Sequence, residues 1–168
     1  MGQRIKIFEM MLRPSVSSND FEQFVRAELL QSPRIAGTGS FIFKGDRGDR
    51  AGGYLYLWLS ESTLLEGFRN IHKRESLHLD KLSTFVQIGP GITYAPVGKG
   101  KEVWMPRAEE ILIEDVLIKP GVGEAAFEQF VVEEYYSMSR LSGEEGYLFK
   151  GRQGDRDGSY MLWVTYQS

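Results

Sequence analysis

The chain has 168 residues, room for one large domain or two small ones, and 42% hydrophobic content is enough for a packed core. With 23 acidic against 20 basic residues the net charge is −3, which gives no electrostatic case for nucleic acid or an anionic membrane. Zero cysteines exclude disulfides, thiolate metal sites, iron–sulfur clusters and a cysteine nucleophile.

The N-terminus carries Arg4, Lys6 and Glu9, so it has no unbroken apolar core of a signal peptide. No apolar run approaches the ~20 residues that span a bilayer. These features predict a cytoplasmic protein with no membrane partner. Ile5 to Leu12 reads as a strand ended by Arg13-Pro14. Asn19 or Asp20 is a candidate N-cap for a helix with Phe21, Val25 and Leu29 on one face. Gln31 to Gly39 is a loop by its serine, proline and glycines. Ser40–Lys44 and Tyr54–Ser60 are strands flanking a hairpin rich in glycine and aspartate. Ser62–Asn70 and Leu77–Val86 carry helical patterning, and Gly91–Val97 is a short closing strand whose pairing Pro96 limits.

The first four elements then recur. Residues 1–62 match residues 107–168 without a gap at 21 of 62 positions, far above chance. Phe21-Glu22-Gln23-Phe24-Val25 returns as Phe127-Glu128-Gln129-Phe130-Val131, and Phe43-Lys44-Gly45 as Phe149-Lys150-Gly151. The second copy predicts elements at Ile111–Ile118, Ala125–Tyr136, Gly146–Lys150 and Tyr160–Tyr166, and has no counterpart of residues 63–106. The order strand, helix, strand, strand, helix, strand is that of the split β-α-β unit. The expected domains are therefore 1–106, a first ferredoxin-like unit, and 107–168, a second one without its last helix and strand. Tyr54-Leu55-Tyr56-Leu57-Trp58-Leu59 is apolar on both strand faces, so the expected α+β fold packs the two units sheet to sheet.

The opening strands ending in Arg13-Pro14 and Lys119-Pro120, the FEQFV helix, and the hairpins FKGDRGDRAGGYLYLW and FKGRQGDRDGSYMLW carry a resemblance. With them the chain resembles the dimeric α+β barrel superfamily, which includes antibiotic-biosynthesis monooxygenase-like and stress-responsive A/B-barrel proteins. The resemblance implies an intramolecular version of that barrel, with a cavity for a small aromatic or apolar ligand. It implies no catalytic residue, because no catalytic motif of the family, such as the Asn…Trp-His set of haem-degrading members, stands in the sequence. Fold is not function.

Candidate chemistry therefore comes from the residues. Glu9 and its equivalent Asp115 lie in apolar strands, where a buried carboxylate is a candidate acid or base; the alternative is a partner at the sheet end. His72 and His78 are the two histidines; His72 is a candidate base, against an ordinary surface role for both. Tyr54, Tyr56 and Trp58 alternate along one strand face and form a candidate ligand wall, against ordinary core packing. The expected ligand set is Tyr54, Tyr56, Trp58 and Asp115, and the expected catalytic pair Glu9 and His72. Lys44 and Lys150 beside glycine-rich hairpins offer an anion cradle, against local hairpin locking. No metal spacing, Ser-His-Asp order or nucleotide fingerprint occurs, so neither metal nor cofactor is expected. Two readings stay open: a protein that binds or transforms a small apolar molecule, and a non-catalytic binding or oligomerisation module that self-associates through the surface copy two leaves uncovered.

Overall fold

The computed structural model describes residues 4–29, 38–46, 48, 51–60, 73, 79–98, 111–141, 144–151 and 159–166. The chain divides into two compact units, Gln3–Gly91 and Ile92–Ser168. The expected helix 62–70 and both histidines at 72 and 78 lie outside the described residues.

In the first unit, β1 (Arg4–Leu12) pairs antiparallel with β3 (Tyr54–Ser60), and β3 with β2 (Thr38–Lys44). The hairpin between β2 and β3 closes with Gly52 at φ +82, a left-handed conformation that favours glycine. Helix α1 (Ser18–Phe24) begins at Ser17, whose hydroxyl accepts from the Asp20 amide at 3.1 Å. The cap thus lies before the expected Asn19 or Asp20, which stand inside the helix, because Ser17 has the extended backbone and reaches that amide. A π-helical turn, Val25–Leu29, continues it.

Residues 79–85 form helix α2, and β4 (Val86–Ile88) follows at once, pairing antiparallel with β1 at Met10–Leu12. The helix expected to include Val86 stops at Phe85. Ser83 and Thr84 turn their hydroxyls onto the carbonyls of Asp80 and Lys81, and the Phe85 carbonyl accepts instead from the Arg13 amide at 2.9 Å. The resulting strand order is β4-β1-β3-β2. The core of this unit gathers Phe8, Met10, Phe21, Val25, Tyr54, Tyr56 and Trp58 with Leu82 and Val86.

The second unit opens with β5 (Ile92–Pro96), the expected closing strand, which pairs antiparallel with β7 (Glu144–Gly151). Then come β6 (Ile111–Val116), α3 (Glu124–Phe130), a π-helical turn (Val131–Tyr135), α4 (Tyr136–Leu141) and β8 (Tyr160–Tyr166). Its strand order is β5-β7-β8-β6, leaving β6 at an edge among the described residues. Helices α1 and α3, the two π-turns, and strands β3 and β8 begin and end at positions 106 apart. Where Ser17 caps α1, Gly123 precedes α3 with no side-chain cap.

The core here gathers Val97, Val131, Tyr136, Leu148 and Tyr160. The Tyr136 hydroxyl donates to the Val97 carbonyl at 2.7 Å and accepts from the Leu148 amide at 3.2 Å, tying helix to sheet. Burial pushes that hydroxyl up to about 12. Gly146 faces the Tyr135 ring, which a side chain there would strike.

Candidate functional site

The residues singled out from the sequence do not converge in one described pocket. Tyr54, Tyr56 and Trp58 face the interior of the first unit, and Tyr56 and Trp58 are each 1% exposed. Phe8 packs edge-on to Trp58 at 4.8 Å and Phe21 edge-on to Tyr54 at 4.8 Å, so the aromatic row is packed by neighbouring rings. Burial, and then the nearby Glu22 carboxylate, raises the Tyr54 hydroxyl.

Glu9 and Asp115 differ from their expected burial: both are exposed. Glu9 shares its strand face with Ile5 and Ile7, which are buried, and with Met11, which is exposed. The covered stretch of that face ends before Glu9. On β6, Asp115 and Leu117 are likewise exposed while Ile111 and Ile113 are half-buried. Alternation along a strand gives the face but not how far along it cover extends.

A different site stands in the second unit. An open groove of about 440 Å³ is lined by residues 116–122 together with Glu124, Ser159 and Tyr160. The 106-residue offset explains it. Its wall residues Val116 and Ile118 correspond to Met10 and Leu12, which in the first unit lie against β4. Tyr160 corresponds to Tyr54, Phe127 to Phe21 and Phe130 to Phe24. In the first unit Phe24 stacks on Phe85 at 4.9 Å and 20°, Phe21 lies against Phe85 at 6.1 Å, and Leu82 is 0% exposed. No described residue covers the equivalent place, and Phe130 is 46% exposed; Leu117, at 86%, matches Met11, which at 57% is exposed in the first unit as well.

At the groove's edge lies a polar cluster. The Lys150 ammonium sits 2.7 Å from Glu124 Oε2 and 3.5 Å from Glu128 Oε2, and 5.6 Å from the centre of the Tyr160 ring. The Tyr160 hydroxyl donates to Glu128 Oε2 at 2.8 Å. The hydrogen bond to Glu124 is the main reason Lys150 is raised. Burial, then the bond to Glu128, pushes Tyr160 up to about 12. The tyrosine is therefore a neutral donor near pH 7 rather than a base. Lys150 is already matched by two carboxylates, which is the opposite of an anion cradle. Copy one holds a looser version, with Lys44 3.8 Å from Glu22.

Sequence reasoning named Lys150 and Tyr160 but not their convergence. The signal was present in the paired recurrence of Glu22, Lys44 and Tyr54 as Glu128, Lys150 and Tyr160. Among the described residues no group of three or more His, Cys, Asp or Glu side chains is placed to hold a metal ion. No helix among them is long and apolar enough to cross a membrane.

Fold and site together define an α+β protein with antiparallel sheets, one helical face covered and one uncovered among the described residues. No family model and no curated protein matches the chain. Solved structures do. A candidate chlorite dismutase superposes with a TM-score of 0.61 at 10% identity, covering 100% of this chain and 80% of its own. A candidate monooxygenase from Fusobacterium nucleatum subsp. nucleatum gives 0.62 at 11% identity, covering 98% of this chain and 76% of its own. Likeness at such identity shows a shared fold, that of the chlorite dismutase-like and monooxygenase-like α+β barrel structures.

Proposed function

We propose that the protein is a binding module built on a duplicated, ferredoxin-like α+β unit, and that the open apolar face of the second unit is where it binds. The observation that carries this reading is the pair Phe24 and Phe130: equivalent residues, one stacked under Phe85 and the other 46% exposed. Coincident helix and π-turn boundaries 106 residues apart support the duplication.

A second reading, that the protein binds or transforms a small aromatic or apolar molecule, draws support from the groove's volume of about 440 Å³. The name of one structural neighbour, a candidate monooxygenase, points the same way. The binding module is preferred because Glu9 and Asp115 are exposed on their strands and Tyr160 holds its proton.

Nile red, a neutral probe of apolar surface, tests the site. Leu117→Ser and Phe130→Ser should each at least halve its emission with the full chain, while Met11→Ser in the first unit leaves it nearly unchanged. Equal effects from all three would remove the second unit's claim to be the binding face.

A further inference from the structure

Both units carry one polar trio in the same frame. Glu22, Lys44 and Tyr54 return as Glu128, Lys150 and Tyr160, and each lysine stands across from its tyrosine in the strand register. Phe21 packs edge-on to Tyr54 at 4.8 Å and Phe127 edge-on to Tyr160 at 5.1 Å, so helix meets sheet alike in both. The units differ in the residue that opens the helix, Ser18 in α1 and Glu124 in α3.

That difference decides how each trio closes. Glu124 holds the Lys150 ammonium at 2.7 Å, which leaves Glu128 to accept from the Tyr160 hydroxyl at 2.8 Å. In the first unit, with serine in that place, Lys44 lies 3.8 Å from Glu22 and its side chain is 42% exposed, against 15% for that of Lys150. The Tyr54 hydroxyl is buried with no hydrogen-bond partner among the described residues, an unfavourable state for a polar group. What the first unit lacks is an anion at position 18.

A phosphorylated serine supplies one. Its phosphate oxygens lie as many bonds from Cα as the carboxylate oxygens of glutamate, and it carries a charge of about −2 near neutral pH. Ser18 is half-buried, and Ser15, Ser17, Asn19 and Asp20 around it are exposed. Ser17 does not fill the same role. Its hydroxyl is engaged as the cap of α1, and its counterpart Gly123 contributes no charge in the second unit.

We propose that Ser18 is a phosphorylation site whose phosphate takes on Lys44 the place that the Glu124 carboxylate holds on Lys150. A protein kinase transfers the γ-phosphoryl group of a nucleoside triphosphate to Ser18 Oγ. The new O–P bond forms there, the bond to the departing nucleoside diphosphate breaks, and the hydroxyl proton goes to a base of the kinase. Lys44 then turns from Glu22 to the phosphate, and Glu22 is released to accept from Tyr54. The modification closes in the first unit the trio that the second closes by its sequence, and it is independent of what the second unit binds.

The test places phosphoserine at position 18 of the full chain by genetic encoding. The urea midpoint should rise, Ser18→Glu should reproduce part of the rise, and Lys44→Gln should remove both gains. A gain that survives Lys44→Gln is a general effect of negative charge at the start of α1, and overturns the contact. Phosphoserine at 18 should also slow solvent exchange of the Tyr54 hydroxyl proton by about tenfold, the effect of one new hydrogen bond. An unchanged rate overturns the rearrangement. Fragment mass spectrometry of the chain isolated from the cells that make it naturally should place a phosphoryl group on Ser18. Its absence, or its presence on Ser17 instead, overturns the modification even where encoded phosphoserine closes the trio, since Ser18 would then mark only a divergence between the copies.

Discussion

The two units share a plan and differ in cover. In the first, Leu82 and Val86 are 0% exposed on a helix and strand held by the Lys81–Glu28 ion pair, the Arg13–Phe85 backbone bond and pairing with β1. In the second, no described residue covers Phe130, and more large apolar side chains are exposed among the described residues: Leu112, Leu117, Val122, Phe130, Val132 and Met138, against Met11 in the first unit. A repeat that keeps FEQFV but leaves its second phenylalanine in water teaches that the recurring motif specifies the helix and its place on the sheet. It does not specify what covers the helix.

The comparison can be broken most forcefully at its covering segment. Leu82→Ala removes a fully buried side chain and should cost about 2–5 kcal/mol in urea unfolding. A change under about 0.5 kcal/mol would mean the segment is not fixed where it lies.

The paired truncations Phe24→Ala and Phe130→Ala sharpen the contrast. The first loses a ring stacked on Phe85 and should cost about 2 kcal/mol; the second, already half in water, should stay within about 0.5 kcal/mol. Equal costs would show that Phe130 is covered in solution.

The smallest effect is alkaline. Tyr136 and Tyr160 hold their protons more tightly folded, at about 12, than unfolded, at 10.0. The stability they contribute is complete below pH 10 and is lost as pH rises through about 12. Lys150, also raised, acts in the same direction. Unfolding of Tyr136→Phe and Tyr160→Phe chains between pH 9 and 12 should show a shallower alkaline loss than wild type, and an unchanged slope would reject these tyrosines as its source.

Much of the fold was legible because the pattern repeats. Tyr54–Ser60 and Tyr160–Tyr166 stand where the hairpin signature and its recurrence placed them, and the second-unit helix follows its FEQFV signature. The three-residue β4 was hidden, since Val86-Gln87-Ile88 continues the helix's apolar spacing and becomes a strand only because β1 offers an edge. The site was less legible. A strand pattern assigns Glu9 and Asp115 to apolar faces but not to depth, so their exposure required the fold. The aromatic row at Tyr54, Tyr56 and Trp58 read as a ligand wall or, more commonly for such a stripe, as core, and neighbouring rings pack against it. The open groove is lined in part by Val116–Pro120, a stretch that no motif announces as a site.

The most direct measurement compares two equivalent amides by native-state hydrogen exchange. The Arg13 amide is bonded to the Phe85 carbonyl under the first unit's covering segment, and Lys119 occupies its place in the second. An open second face predicts that the Lys119 amide exchanges at least tenfold faster than Arg13 in the isolated protein. Equal protection at both would contradict the account, since the second face would then be closed as firmly as the first.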